Sequence, residues 1–195
     1  MPIGDSYTIG EGVEADKIWP ALLTARLREA GIAIDLIGNP ARTGWTTQDA
    51  LSKELPVFEA ARPTFSTILL GVNDWVQGVD AETFHERFSL LLDRMLSVLP
   101  KNRLIVITIP DFSVTPTGKI FGDPAANAEG IRSFNAIIRD EAKKRALPVV
   151  DLFELSQDMG KDATLVTPDG LHPSAAEHVR WMEKILPITE ELLTK

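Results

Sequence analysis

Four short segments of the 195-residue chain carry side chains suited to acyl transfer. They are Gly4-Asp5-Ser6, Thr43-Gly44-Trp45, Gly71-Val72-Asn73-Asp74 and Asp169-Gly170-Leu171-His172-Pro173. A serine hydroxyl is a weak nucleophile until a base takes its proton. An imidazole does this near neutrality when a carboxylate fixes its tautomer. The spacing Asp169-x-x-His172 puts both groups on one short turn, so the carboxylate can reach one ring nitrogen while the other faces Ser6. Attack on a carbonyl creates an oxyanion that needs preorganised donors, each typically worth about 10²–10³ in kcat. The candidates are the backbone N–H of Ser6, the N–H of Gly44 and the side-chain NH₂ of Asn73. Gly44 suits the role because it has no Cβ to hold a substrate away.

These segments need a scaffold that points them at one place. Short apolar runs alternate with longer amphipathic ones. Ile32–Ile37, Thr67–Leu70, Leu104–Ile107 and Pro148–Val150 read as strands, rich in β-branched residues and followed by turn-like residues. Their near-continuous apolar character predicts burial on both faces. Stripes at Ile18/Trp19/Leu22/Leu23/Leu27, at Phe84/Phe88/Leu91/Leu92/Met95/Leu99 and at Ile131/Phe134/Ile138/Ala142 predict helices, as does 175–193, bent or broken near Pro187. Such alternation implies an α/β fold in one domain over residues 1–195, with a parallel sheet covered by helices on both faces. Ligands of such folds bind outside the carboxyl ends of the strands. Each of the four segments follows a predicted strand or immediately precedes the last helix.

Composition narrows the partners. Hydrophobic residues make up 44% and charged residues 25%, the balance of a globular domain. A net charge of -8 makes nucleic acid and anionic lipid poor partners, and no stable membrane association is expected. The absence of cysteine excludes disulfides, thiolate metal sites and a cysteine nucleophile. The opening Met1-Pro2-Ile3-Gly4-Asp5 has neither the basic start nor the apolar run of an export signal, and no stretch reaches the roughly 18–20 apolar residues of a membrane span. A cytoplasmic location is the expectation, with export left open for a trimmed sequence.

The four segments, in this order, resemble the motifs of the GDSL, or SGNH, hydrolase superfamily. The resemblance spans nearly the whole chain. It implies Ser6 as nucleophile and oxyanion donor, Gly44 and Asn73 as the other donors, His172 as general base and acid, and Asp169 as its orienting partner. It also implies a three-layer, flavodoxin-like α/β/α sandwich with five parallel strands, and no metal or organic cofactor. The first strand, expected in the middle of the sheet, has only Met1-Pro2-Ile3 ahead of Gly4, fewer apolar residues than the family usually provides.

The activity implied is a serine esterase cleaving small or medium acyl esters through an acyl-enzyme. Carbohydrate O-deacetylases, lysophospholipases and thioesterases share the same machinery. Trp45 and Trp75 lie near the proposed donors and either line the substrate cleft or pack in the core. The long segment 110–128, carrying Phe112 and Phe121, is either a wall over the acyl group or a surface loop. Asp5 and Asp74 are expected to brace their turns. His85 reads as part of a solvated helix face rather than a metal pair with Glu82. A dinucleotide-binding reading of Gly10-x-Gly12-x-x-Ala15 fails on context. No apolar strand runs into it, and Glu11, Glu14 and Asp16 oppose a pyrophosphate. A non-catalytic binding module on the same fold is the other rival, disfavoured by the intact set of reactive side chains.

Overall fold

The computed structural model describes residues 1–194. Four parallel strands form one sheet in sequence order: β1 (Ile3–Gly4), β2 (Ser66–Leu69), β3 (Leu104–Ile107) and β4 (Val149–Val150). The register aligns Ile3 with Ile68, Thr67 with Ile105 and Val106 with Val149. β2 and β3 are buried at every residue, as their unbroken apolar runs require. On one side α1 (Ser6–Ile9) leads to α2 (Trp19–Glu29), which packs along the last helix. The other helix group is α3 (Leu55–Ala61), α5 (Ala81–Val98) and α6 (Pro124–Lys144), with α4 (Val72–Val76) lying against α6. The final helix, α7, runs over Ala175–Thr194. The resulting α/β/α sandwich buries one large core, with Trp19, Phe58, Phe84, Phe88, Phe134 and Trp181 almost wholly excluded from solvent.

Two expectations are corrected. Ile32–Ile37 does not join the sheet, which therefore has four strands instead of five, with β1 at its edge rather than in the middle. The reason lies in what β1 offers. It is only two residues long, and its Gly4 N–H is already taken by the carboxyl of Glu54 at 3.0 Å. Residues 32–37 instead run irregularly, tethered by Ile32 N–H to Leu27 O and by Arg28 to Ile34 O. Their alternating half-buried and exposed side chains form one wall of a 540 Å³ cavity reaching to Phe65. The second correction concerns Pro187, which does not break α7. Buried Trp181 and Ile185 before it and Thr189 after it hold the helix in place, and Thr189 Oγ1 donates to Ile185 O.

Because all strands run the same way, their carboxyl ends share one side of the molecule. Asp5-Ser6 follows β1, Gly71-Val72-Asn73 follows β2, and Pro110–Phe112 follows β3. Gly71 is demanded by this arrangement. Its φ of +127° disfavours any L side chain, and a Cβ there would sit 2.7 Å from Ile109 and 2.8 Å from Phe84.

Candidate active site

Ser6 opens α1 directly after β1, and the turn is fixed by its neighbour. Asp5 caps the helix, its Oδ1 accepting from Tyr7 N–H at 3.0 Å. The bracing role expected of Asp5 is thus what the structure shows. Asp74 braces as well, accepting from both the N–H and the hydroxyl of Thr47 and so tying α4 to the segment after Gly44.

Asp169 and His172 share a tight turn just before α7. His172 Nδ1 lies 2.6 Å from Asp169 Oδ2. The other carboxylate oxygen accepts from Thr167 Oγ1, Leu171 N–H and His172 N–H at 2.7–3.0 Å. Partial burial works against ionisation of Asp169, but these donors outweigh it and hold the carboxyl far below the usual range. The imidazole is well covered, at 12% side-chain exposure, while Asp169 retains 41%. An ionised, heavily hydrogen-bonded carboxylate fixes the ring so that Nδ1 carries the proton and Nε2 is the free base.

The remaining groups converge. Ser6, Asn73 and His172 line one small cavity of 130 Å³ with Tyr7, Val72, Val76, Phe112, Phe121 and Leu171. Asn73 Nδ2 donates to Trp45 O at 2.9 Å, and Asp5 Oδ2 lies 3.4 Å from the same nitrogen. The short bond sets the plane of the amide. The long one is weak, which leaves a hydrogen to be drawn to an oxyanion in the cavity. Gly44 adjoins this group through the chain. Its carbonyl accepts from Gln77 Nε2 at the end of α4, and its φ of +81° turns the backbone sharply there. It does not line the cavity, so the structure unites Ser6, Asn73, Asp169 and His172 and sets Gly44 at their margin.

The aromatic expectations divide. Phe112 and Phe121 line the cavity and meet edge to face at 6.4 Å, so part of 110–128 is a wall of this pocket. Trp45 and Trp75 do not line it. Trp75 turns the other way, its indole lying on Gly130 and against Phe134, with Nε1–H bonded to Asn127 Oδ1 at 3.0 Å. Trp45 lies under Lys53, whose Nζ is 5.1 Å from the ring centroid. Packing wins for Trp75 because a helix face bearing glycine offers the indole a flat seat. His85 is not merely solvated, since its Nε2 bonds Glu141 Oε1 at 2.8 Å between α5 and α6.

Several contributors escaped the sequence reading. Tyr7, Val72 and Leu171 lie within or beside a motif, and that adjacency is the signal that marks them as lining; Val76, one helical turn after Val72, shares its face. Thr117 gave no such signal. Its N–H donates to Gly170 O at 2.8 Å and its hydroxyl to Asp169 O at 2.7 Å, joining the pocket wall to the turn that holds Asp169 and His172.

The model of the GDSL-like lipase/acylhydrolase family matches residues 3–180. The chain belongs to that family. It is a hydrolase of ester bonds, in keeping with the chemistry of its four segments. Esterase TesA of Pseudomonas aeruginosa is 22% identical over 193 residues, covering 99% of this chain and 88% of its own length. Thioesterase 1/protease 1/lysophospholipase L1 of Escherichia coli K12 is 22% identical over 187 residues, covering 94% and 81%. In fold, the crystal structure of TesA matches with a TM-score of 0.80 at 24% identity over 98% of each chain. An acetyl xylan esterase variant from Geobacillus stearothermophilus, Axe2-W215I, matches at 0.77 and 17% identity over 96% of this chain and 92% of its own. Both share the α/β/α sandwich. Within this GDSL hydrolase no helix is long and apolar enough to cross a membrane among the described residues.

Proposed function

We propose that the chain is a serine esterase that cleaves small acyl esters through a covalent acyl-enzyme. The observation that supports it best is the convergence of Ser6, Asn73 and the Asp169–His172 pair on one apolar cavity. In the first half-reaction Ser6 Oγ attacks the ester carbonyl as His172 Nε2 takes its proton. The oxyanion is held by Asn73 Nδ2 and the N–H of Ser6, with the Gly44 N–H at the margin of the cavity as the third proposed donor. His172 then returns the proton to the leaving alkoxide, and the C–O bond of the ester breaks. Water, deprotonated by the same nitrogen, attacks the acyl-Ser6 carbonyl and releases the acid. An ester suits this site better than an amide because its alkoxide is the better leaving group.

The cavity supports a short acyl group. Its volume of 130 Å³ is small, and Phe112, Phe121, Val72 and Val76 are among its lining. The experiment is labelling with a fluorophosphonate followed by peptide mapping. Label should appear on Ser6, and Ser6→Ala should lose both label and hydrolysis of p-nitrophenyl acetate. Label on another residue, or turnover that survives the substitution, refutes the assignment. Running acetylated xylose, a lysophospholipid and an acyl thioester beside p-nitrophenyl acetate distinguishes among the alcohols and thiols the site accepts.

A further inference from the structure

Behind the nucleophile lies a buried acid that this reaction does not use. Glu54 ends a π-helical turn, Ala50–Glu54, packed against β1. It is fully excluded from solvent. Its Oε2 accepts from Gly4 N–H at 3.0 Å, and its Oε1 has no hydrogen-bond partner among the described residues. A buried carboxylate requires several donors or a close cation. Glu54 has one donor. The charges acting on it are Asp5 on the nucleophile turn, Asp49 on its own helical segment and Arg42, whose side chain is exposed. Asp5 is equally buried and faces Asp74 as well.

We propose that Glu54 is a positioning residue for the nucleophile turn, working as a neutral acid that caps Gly4 N–H and loosening that turn when it ionises. This rests on the esterase reading above. The geometry gives the route. Gly4 is two residues from Ser6, and Asp5 between them holds Tyr7 N–H with one oxygen and faces Asn73 Nδ2 with the other. A second buried charge beside Asp5 repels it and disturbs both contacts. Burial, reinforced by Asp5 and Asp49 against the Gly4 N–H, pushes the Glu54 carboxyl up to about 8, and burial lifts Asp5 to about 7. A raised acid is neutral below its folded pKa and charged above it. The site is therefore intact below about pH 8 and is lost above it, on the opposite side from the loss caused by protonating the base.

The test compares wild type, Glu54→Gln and Glu54→Ala with p-nitrophenyl acetate from pH 5 to 10, separating kcat from KM, with fluorophosphonate titration at pH 7. Wild-type kcat should fall about tenfold or more above pH 8 with little change in KM, a partial loss bounded by the roughly 10²–10³ of removing one oxyanion donor outright. Glu54→Gln keeps an acceptor for Gly4 N–H but has nothing to titrate, so it should keep its pH 7 kcat and lose the alkaline fall. Glu54→Ala should lower kcat about tenfold or more at all pH values with KM unchanged. A Glu54→Gln profile that keeps the wild-type alkaline limb overturns the proposal. So does a flat wild-type profile from pH 7 to 10, or wild-type kcat in Glu54→Ala. If Glu54→Ala does not fold, the Glu54→Gln profile decides. If wild type takes no label, the esterase reading fails on its own. Melting curves then still test the buried acid. Wild type should lose stability between about pH 4.5 and 8 more steeply than Glu54→Gln, in which Asp5 still titrates but Glu54 does not, and identical curves overturn it.

Discussion

Gly130 offers a severe test of the packing that positions α4. It lies buried in the middle of α6, where replacing glycine by alanine ordinarily stabilises a helix by about 1 kcal/mol. Here the opposite sign is expected. A Cβ on Gly130 would stand 2.1, 2.2 and 2.4 Å from three carbons of the Trp75 indole. Ordinary contact begins near 3.4 Å, so the ring must retreat by more than an ångström. It is not free to do so, being bonded to Asn127 and set edge-on to Phe134 at 5.7 Å. Overpacking of this kind costs about 1–3 kcal/mol, and a strained indole hydrogen bond adds about 1 kcal/mol. Set against the helix gain, Gly130→Ala should destabilise by roughly 1–3 kcal/mol, which for this chain length lowers Tm by about 2–12 °C. Calorimetric melting measures it directly. In a Trp75→Leu background the clash is gone, and the same substitution should then stabilise by up to about 1 kcal/mol. An unchanged or raised Tm for Gly130→Ala with Trp75 present would refute the reasoning. Because Trp75 is two residues from Asn73, kcat should fall along with Tm.

Three further outcomes are expected. Asp169→Asn should leave the fold intact and lower kcat by about 10³–10⁴, because an amide does not hold the ring in the required tautomer; a loss under tenfold in steady-state assays would remove Asp169 from the mechanism. Phe121→Ala should raise kcat/KM for octanoyl over acetyl p-nitrophenyl esters, since this ring lines the cavity; an unchanged ratio would retire the wall. His178 is fully buried, and burial, with the nearby charge of His172, lowers its pKa to about 4. Between pH 6.5 and 4 the unfolded chain binds a proton that the folded chain refuses, so stability falls on acidification by up to roughly 3 kcal/mol. His178→Asn, which keeps an acceptor for Trp19 N–H, should flatten that part of the Tm–pH curve.

The candidate reactive groups could be picked out because acyl transfer demands particular residue types at particular loop positions. Asp169 and His172 are three residues apart and needed only a turn to meet. Ser6 and Asn73 come from distant segments, yet the rule that parallel strands end on one side was enough to bring them together. What escaped depended on contacts that no local pattern encodes. The fate of Ile32–Ile37 turned on Glu54 occupying the Gly4 N–H, a pairing of residues 50 apart in sequence. The seat of Trp75 turned on Gly130, whose lack of a side chain reads as a flaw in a helix until its partner is known. Glu54 itself sits in an amphipathic stretch where an acid ordinarily signals a wet face.

The bonds from Thr117 to Asp169 and Gly170 have a mechanical meaning. The segment that lines the cavity and the turn that carries Asp169 and His172, the proposed proton shuttle, form one jaw, and Ser6 with Asn73 forms the other. Through these bonds, widening the bite by shifting the 112–121 segment should also move the imidazole relative to Ser6. Enlargement by trimming a side chain leaves the jaw in place. Selection for bulkier esters should therefore fix smaller residues at 112 and 121 and leave the length of that segment, and Thr117 itself, untouched.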